Sequence, residues 1–191
     1  MLISSRVCAL SLLWLTACSS ADSKKDPVLE AAFQNEKRIG EEAVTKRQIK
    51  DAEFVVHAAS RKMLLLEISQ LAQRKAAAPD TRYTAQGVVA QATPLLSELK
   101  TLALQKKLVL PTGLSEAQAT QAGELTALNG AAFDQAYAKT LGSVLDTDEE
   151  ATDDMTDEAY DGDIRALSAR QATTLKDLST AAESLRDKLN P

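Results

Sequence analysis

The chain has 191 residues, enough for one domain of ordinary size and too few for two, with 22 basic and 27 acidic residues, one histidine and two cysteines. Its formal charge of −5 repels phosphate backbones, and the scattered Phe33, Phe54, Tyr83, Phe133, Tyr137 and Tyr160 form no stacking platform, so nucleic acid is not an expected partner. A single histidine and no glycine-flanked serine elbow leave no nucleophilic machinery, and the chain is not expected to be an enzyme.

Residues 1–17 read as a signal peptide: Arg6 precedes an apolar run from Val7 to Leu15 that is too short to span a bilayer. The end of this segment, Leu15-Thr16-Ala17-Cys18, resembles the bacterial lipoprotein signal, in which small residues precede a cysteine that is diacylated on sulfur and becomes the mature N-terminus. Cys18 is therefore the expected lipidation site and the membrane an expected partner through it. Ser19, where an aspartate would favour retention at the inner membrane, points to the outer membrane, with the domain facing the periplasm. With Cys8 removed and Cys18 consumed, no thiol remains for a disulfide, a metal or a nucleophile. Loss of Arg6 leaves 21 basic residues against 27 acidic, a charge of −6.

Residues 18–27 are small and charged, as suits a tether. Residues 28–48 form a helical extension whose sparse apolar positions (Val28, Leu29, Ala32, Phe33, Ile39) predict loose packing, with a break at Gly40. The bundle proper spans 49–190. Its first helix, about Ile49 to Ala76, repeats Ala52, Val55, Val56, Ala59, Met63 and Leu66 in steps of three and four. Pro79-Asp80 ends it. A second helix, about Thr81 to Lys107, carries Val88, Ala92, Leu95, Leu99 and Leu102 as an antiparallel seam, and Pro94 inside it predicts a kink or restart near Gln91.

Beyond Pro111-Thr112-Gly113, Ser115 and Gln118 form a capping box for a short helix to Leu128, closed by Asn129-Gly130. A third core helix, Ala131 to about Leu145, buries Phe133, Ala136, Tyr137, Leu141 and Val144. Ten carboxylates between Asp146 and Asp163 then predict a solvated loop or frayed helix. The last helix, about Asp163 to Leu189, sets Leu175, Leu178, Ala182, Leu185 and Leu189 in heptad steps.

Asp51-Ala52-Glu53-Phe54 with Ala58-Ala59, Glu67-Ile68-Ser69-Gln70-Leu71-Ala72, Leu99 through Leu110-Pro111, and Leu128-Asn129-Gly130-Ala131-Ala132-Phe133-Asp134-Gln135-Ala136-Tyr137 resemble, in combination, the bacterial domain of unknown function 4142 family. Asp26-Pro27-Val28-Leu29-Glu30-Ala31-Ala32-Phe33-Gln34-Asn35-Glu36-Lys37 also looks like the segment that many members carry ahead of the domain, so the resemblance spans about residues 26–145. It implies an exported, all-α protein with a ferritin-like up-down four-helix bundle, here with an extra N-terminal helix and a short connecting helix. Family members usually carry an Asp-His pair in the second helix, a second late in the third, and a histidine in the last. This chain has Gln91-Ala92, Val144-Leu145 and Asp177-Leu178 at those places, so any chemistry resting on those histidines is lost.

A di-metal centre in such a bundle needs carboxylates from two helices and Glu-x-x-His from two others, and this chain has no Glu-x-x-His. His57, four residues after Glu53 and beside Arg61, reads as an exposed histidine. Glu67, with Met63, Leu64 and Leu71 a turn away, reads as a carboxylate at the margin of the apolar stripe, and alternatively as a remnant metal ligand with Glu98 and Asp134. Packing and helix-start charge account for Asp134 and Tyr137. The carboxylates from Asp146 to Asp157 fail as a calcium loop because Ala151 stands at the sharp turn, although weak cation buffering by 146–163 stays open. The reading is a non-enzymatic envelope lipoprotein whose bundle binds a partner protein or supports the envelope, with no resident cofactor. The alternative is a ferritin-like metal or redox protein with an altered carboxylate site.

Overall fold

The apolar periodicity is realised as six α-helices in the computed structural model, which describes residues 26–41 and 46–190. They are α1 (Pro27–Glu41), α2 (Lys46–Lys75), α3 (Pro79–Gln105), α4 (Glu116–Ala127), α5 (Gly130–Glu158) and α6 (Gly162–Leu189). No strand occurs among the described residues, and none of their helices is long and apolar enough to cross a membrane. The signal segment, Cys18 and most of the tether lie outside them.

Helices α2, α3, α5 and α6 form the bundle. The pairs Lys50 with Glu158, Lys62 with Asp148 and Ser69 with Tyr137 run in opposite order along α2 and α5, so these two are antiparallel. Gln171 with Leu95 and Lys188 with Asp80 make α3 and α6 antiparallel in the same way. Since α2–α3 and α5–α6 are hairpins, α3 and α5 point the same way, and the connection between them, which contains α4, runs back along the bundle. One long crossover of this kind is the ferritin-like arrangement.

Local signals explain most boundaries. Ser115 Oγ accepts from the Gln118 backbone N–H at 3.2 Å and Gln118 Oε1 accepts from the Ser115 backbone N–H at 3.0 Å, completing the expected capping box of α4. Gly130, at φ +59°, takes the left-handed conformation that a side chain would strain, and the chain turns there from α4 into α5. At Pro94 the helix does not restart: α3 is continuous from Pro79 to Gln105. Ala90, whose carbonyl loses its helical donor to the proline, is exposed and can be served by water.

Two expectations are corrected. The acidic stretch is not a solvated loop: α5 continues to Glu158, because Asp148, Thr152, Met155 and Ala159 carry the inward spacing of Leu141 and Leu145 forward while the remaining acids face out. A helix cannot wrap a cation as a calcium loop does, in keeping with the rejection of such a loop at Ala151. Nor is the N-terminal extension loosely held. Asn35 of α1 is buried and exchanges two hydrogen bonds with the Val109 backbone, at 2.8 and 2.6 Å. Asp26 caps α1 through Val28 and also accepts from the Glu116 N–H at 2.7 Å, tying the start of α1 to the start of α4. That Glu116 bond, more than the bonds from its own helix, lowers the Asp26 carboxyl pKa.

The two hairpins repeat each other. Asp51 near the start of α2 accepts from the Tyr160 and Asp161 N–H groups in the α5–α6 turn, at 3.0 and 2.7 Å. Asp134 near the start of α5 accepts from the Ala77 and Ala78 N–H groups in the α2–α3 turn, at 3.2 and 2.8 Å. Arg82 caps the Ala76 carbonyl and Arg165 the Ala159 carbonyl. Each member of the second set (Asp134, Ala159, Tyr160, Asp161, Arg165) stands 83 positions after its mate in the first (Asp51, Ala76, Ala77, Ala78, Arg82). Because each hairpin clamps the turn of the other, the halves are related by an approximate twofold axis.

Candidate functional site

The bundle core consists of two apolar clusters. One gathers Leu65, Ile68, Leu95, Tyr137, Leu145 and Leu175; the other gathers Val55, Ala59, Leu99, Met155, Ile164 and Leu167. Between them, at one level on three helices, stand buried polar residues: Lys62 on α2, Asp148 and Thr152 on α5, and Ser168 and Gln171 on α6. Side chains facing inward at mid-height are where helical bundles build ligand and metal sites, so this waist is the place to look for chemistry.

An ion pair occupies it. Lys62 Nζ lies 2.7 Å from Asp148 Oδ2, and both side chains are completely buried, at 0% exposure. Arg61, on the adjoining position of α2, donates from Nε to Asp148 Oδ1 at 2.8 Å, so both carboxylate oxygens are engaged. Burial pushes the Lys62 ammonium below its ordinary pKa of 10.5, and Arg61 adds to that, against the upward pull of Asp148. On α6, Gln171 Nε2 donates to the Leu95 carbonyl at 3.0 Å and to Glu98 at 3.1 Å. The hydroxyls of Thr152 and Ser168 are buried with no hydrogen-bond partner among the described residues.

The twofold relation explains part of this pattern. Tyr137 is fully buried and its phenol, raised in pKa by burial against the effect of Ser69, shares a 2.9 Å hydrogen bond with the Ser69 hydroxyl. The mates of Ser69 and Tyr137 are Thr152 and Phe54, and phenylalanine brings no hydroxyl, which leaves Thr152 unmatched. The mates of Lys62 and Asp148 are Leu145 and Leu65, both buried at 0% in the apolar core. The charged pair thus stands in one of two related places, and leucines fill the other.

The carboxylates singled out in the sequence do not converge. Glu67 is exposed, as expected at the stripe's margin, and lines a surface hollow with Pro27, Thr112 and Glu116. Glu98 is exposed on α3 and accepts from Gln171. Asp134 is buried but belongs to the α2–α3 turn, where both its oxygens are spent on backbone N–H groups. Among the described residues no group of three His, Cys, Asp or Glu side chains could hold a metal ion, and the ammonium at the waist would repel a cation there. A di-metal centre built on Glu67, Glu98 and Asp134 does not fit these residues.

His57 is exposed, as expected, on a shallow groove between α2 and α5. Its imidazole pKa lies below 6.5, first through desolvation and then through Arg61, with Glu53 opposing. The sequence reading passed over Lys62 and counted Asp148 among the solvated acids, whereas both are buried. The signal was present: Asp148 falls where the inward spacing of Leu141, Leu145, Thr152 and Met155 requires a core residue, and Lys62 three positions after Ala59 does the same on α2.

No curated protein and no solved structure matches the chain. The family model described as "Domain of unknown function (DUF4142)" matches residues 36–185, which takes in α2 to α5 entirely and nearly all of α6, and the chain belongs to that family.

Proposed function

We propose that the protein is a lipid-anchored component of the cell envelope whose helical bundle serves as a non-enzymatic binding or structural module. The observation that carries this reading is the waist, where bundles of this kind build ligand sites: it is filled by the Lys62–Asp148 pair and its Arg61 partner. A buried ammonium locked to a carboxylate from the facing helix fixes how α2 and α5 pair, since a slip of either would strand a charge. The role therefore falls to the outer surface and to the anchor. Cys18, preceded by Leu15-Thr16-Ala17 and an apolar run, supports attachment by acylation, and Ser19 supports the outer membrane, with the bundle facing the periplasm.

The test is made in intact envelopes. Cys18→Ser should abolish incorporation of labelled fatty acid and release the chain from the membrane fraction, and crosslinking of the parent chain should return the same neighbour in repeated preparations. Elemental analysis of protein purified without chelator is the counter-test. Stoichiometric iron, manganese or zinc lost in Glu67→Ala, or turnover by the purified chain, would overturn the reading.

A further inference from the structure

The repeat extends to what lies on the hairpins. Over one half of the α2–α5 face sits α4: Ser60, buried, donates to Gln118 at 2.6 Å, and Lys75 donates to the Thr126 carbonyl and stands 5.7 Å over the Phe133 ring. Ala122 and Leu125 of α4 join the core cluster that holds Phe133 and Tyr137. On the other half the mates of Ser60, Lys75, Phe133 and Tyr137 are Ser143, Glu158, Lys50 and Phe54. Glu158 pairs with Lys50 at 2.5 Å, the counterpart of Lys75 over Phe133, so the two halves match in geometry. They differ in cover. Ser143 is exposed, Phe54 is only half-buried, and a groove of about 230 Å³ opens there, walled among the described residues by α2 and α5.

The chemistry of this open half is changed as well. Leu64, Ile68 and Leu71 on α4's side correspond to Thr147, Ala151 and Asp154. An apolar seam survives in Phe54, Ala151 and Met155; the α2 wall adds Glu53 and His57 with Lys50 and Arg61, whose charges are already paired with Glu158 and Asp148, while the α5 wall presents Asp154, with Glu150 and Asp157 exposed about a turn to either side of it. A helix as acidic as α4, which carries Glu116 and Glu124 and no basic residue, would be repelled by that wall.

We infer that this groove is a docking site for an amphipathic helix of another envelope protein, seated as α4 is seated on the related half and carrying basic residues on the flank that meets α5. The assignment rests on the reading of the bundle as a binding module. Its seam is small and its rim charged, so the complex is reversible and weakens with salt.

The probe is a synthetic peptide of residues 115–128 carrying Glu116→Lys and Glu124→Lys, titrated into the isotope-labelled full chain with the Met155 methyl and the His57 ring as reporters. Saturable shifts at both are expected, at least ten-fold weaker with the unaltered peptide and with an Asp154→Lys chain, and abolished by Ala151→Trp, which fills the seam from the surface of α5. Absence of shifts, equal binding of both peptides, or shifts centred on Tyr137 because the peptide displaces α4, would overturn the assignment. So would a gain of peptide binding in a Lys24→Glu, Lys25→Glu chain, which would identify the chain's own N-terminal residues as the occupant. A silent groove beside a partner reproducibly crosslinked elsewhere would remove this site and leave the binding reading standing.

Discussion

Replacing Asp148 by asparagine keeps the shape of the side chain and removes its charge, leaving the Lys62 ammonium at 0% exposure without a counter-ion. Breaking a buried pair in this way costs about 3–5 kcal/mol. An independent bound agrees: Lys62 can escape by giving up its proton, which at pH 7 costs at most about 5 kcal/mol relative to an unfolded lysine of pKa 10.5. Against a total stability on the order of 5–15 kcal/mol, this is a severe loss. A chain carrying Lys62→Leu with Asp148→Leu copies the Leu145 and Leu65 arrangement of the related half and should lie within about 2 kcal/mol of the parent or exceed it.

The pH dependence separates charge from packing. With the folded pKa of Lys62 below the unfolded value, the unfolded chain binds more protons between the two, so stability from this group rises with pH across that interval. Asp148→Asn should therefore recover part of its deficit, relative to the parent at the same pH, between pH 7 and 9.5. Urea unfolding followed by circular dichroism at both values makes the measurement. A loss below about 1 kcal/mol, or a deficit that does not change with pH, would refute the argument by showing that Lys62 finds solvent.

Three further outcomes are expected. Asp51→Ala and Asp134→Ala should cost similar amounts, about 2–3 kcal/mol each in urea unfolding, because each removes a carboxylate from two backbone N–H groups of the opposite turn. Phe54→Tyr should stabilise the fold by about 0.5–1.5 kcal/mol, because it offers Thr152 the hydroxyl that Tyr137 gives Ser69; a destabilised variant would break the twofold argument at this position. His57, followed by its ring protons in solution NMR, should titrate below 6.5 and move upward in Arg61→Gln. Since its folded pKa is depressed, its contribution opposes folding as pH falls through 6.5, where the unfolded chain takes the proton first.

The apolar stripes told most of the fold. Val55, Ala59, Val88, Leu99, Leu141 and Leu178 all face the core as their spacing requires, and the capping box at Ser115 placed α4. Asp148 is where the reading failed, because a carboxylate among nine others looks solvated unless its partner is known, and Lys62 lies 86 positions away. The clamps at Asp51 and Asp134 were hidden for a related reason. Identity between the halves is sparse, and the pairs that bond the turns, such as Asp51 with Asp134 and Arg82 with Arg165, do not register as a repeat without the bonds that explain them. The exposed positions of His57 and Glu67 were legible because each sits off the stripe.

Two identical hairpins associating as a dimer would have to place the same residue on both sides of their axis. A lysine and aspartate meeting across it would occur twice, putting four ionised groups in one core and doubling the cost of taking charge out of water. Joined in one chain, the hairpins are released from that rule. This protein uses the freedom once in each direction: one side of the axis fixes the pairing of α2 and α5 with a single ion pair, and the other holds them together with leucine.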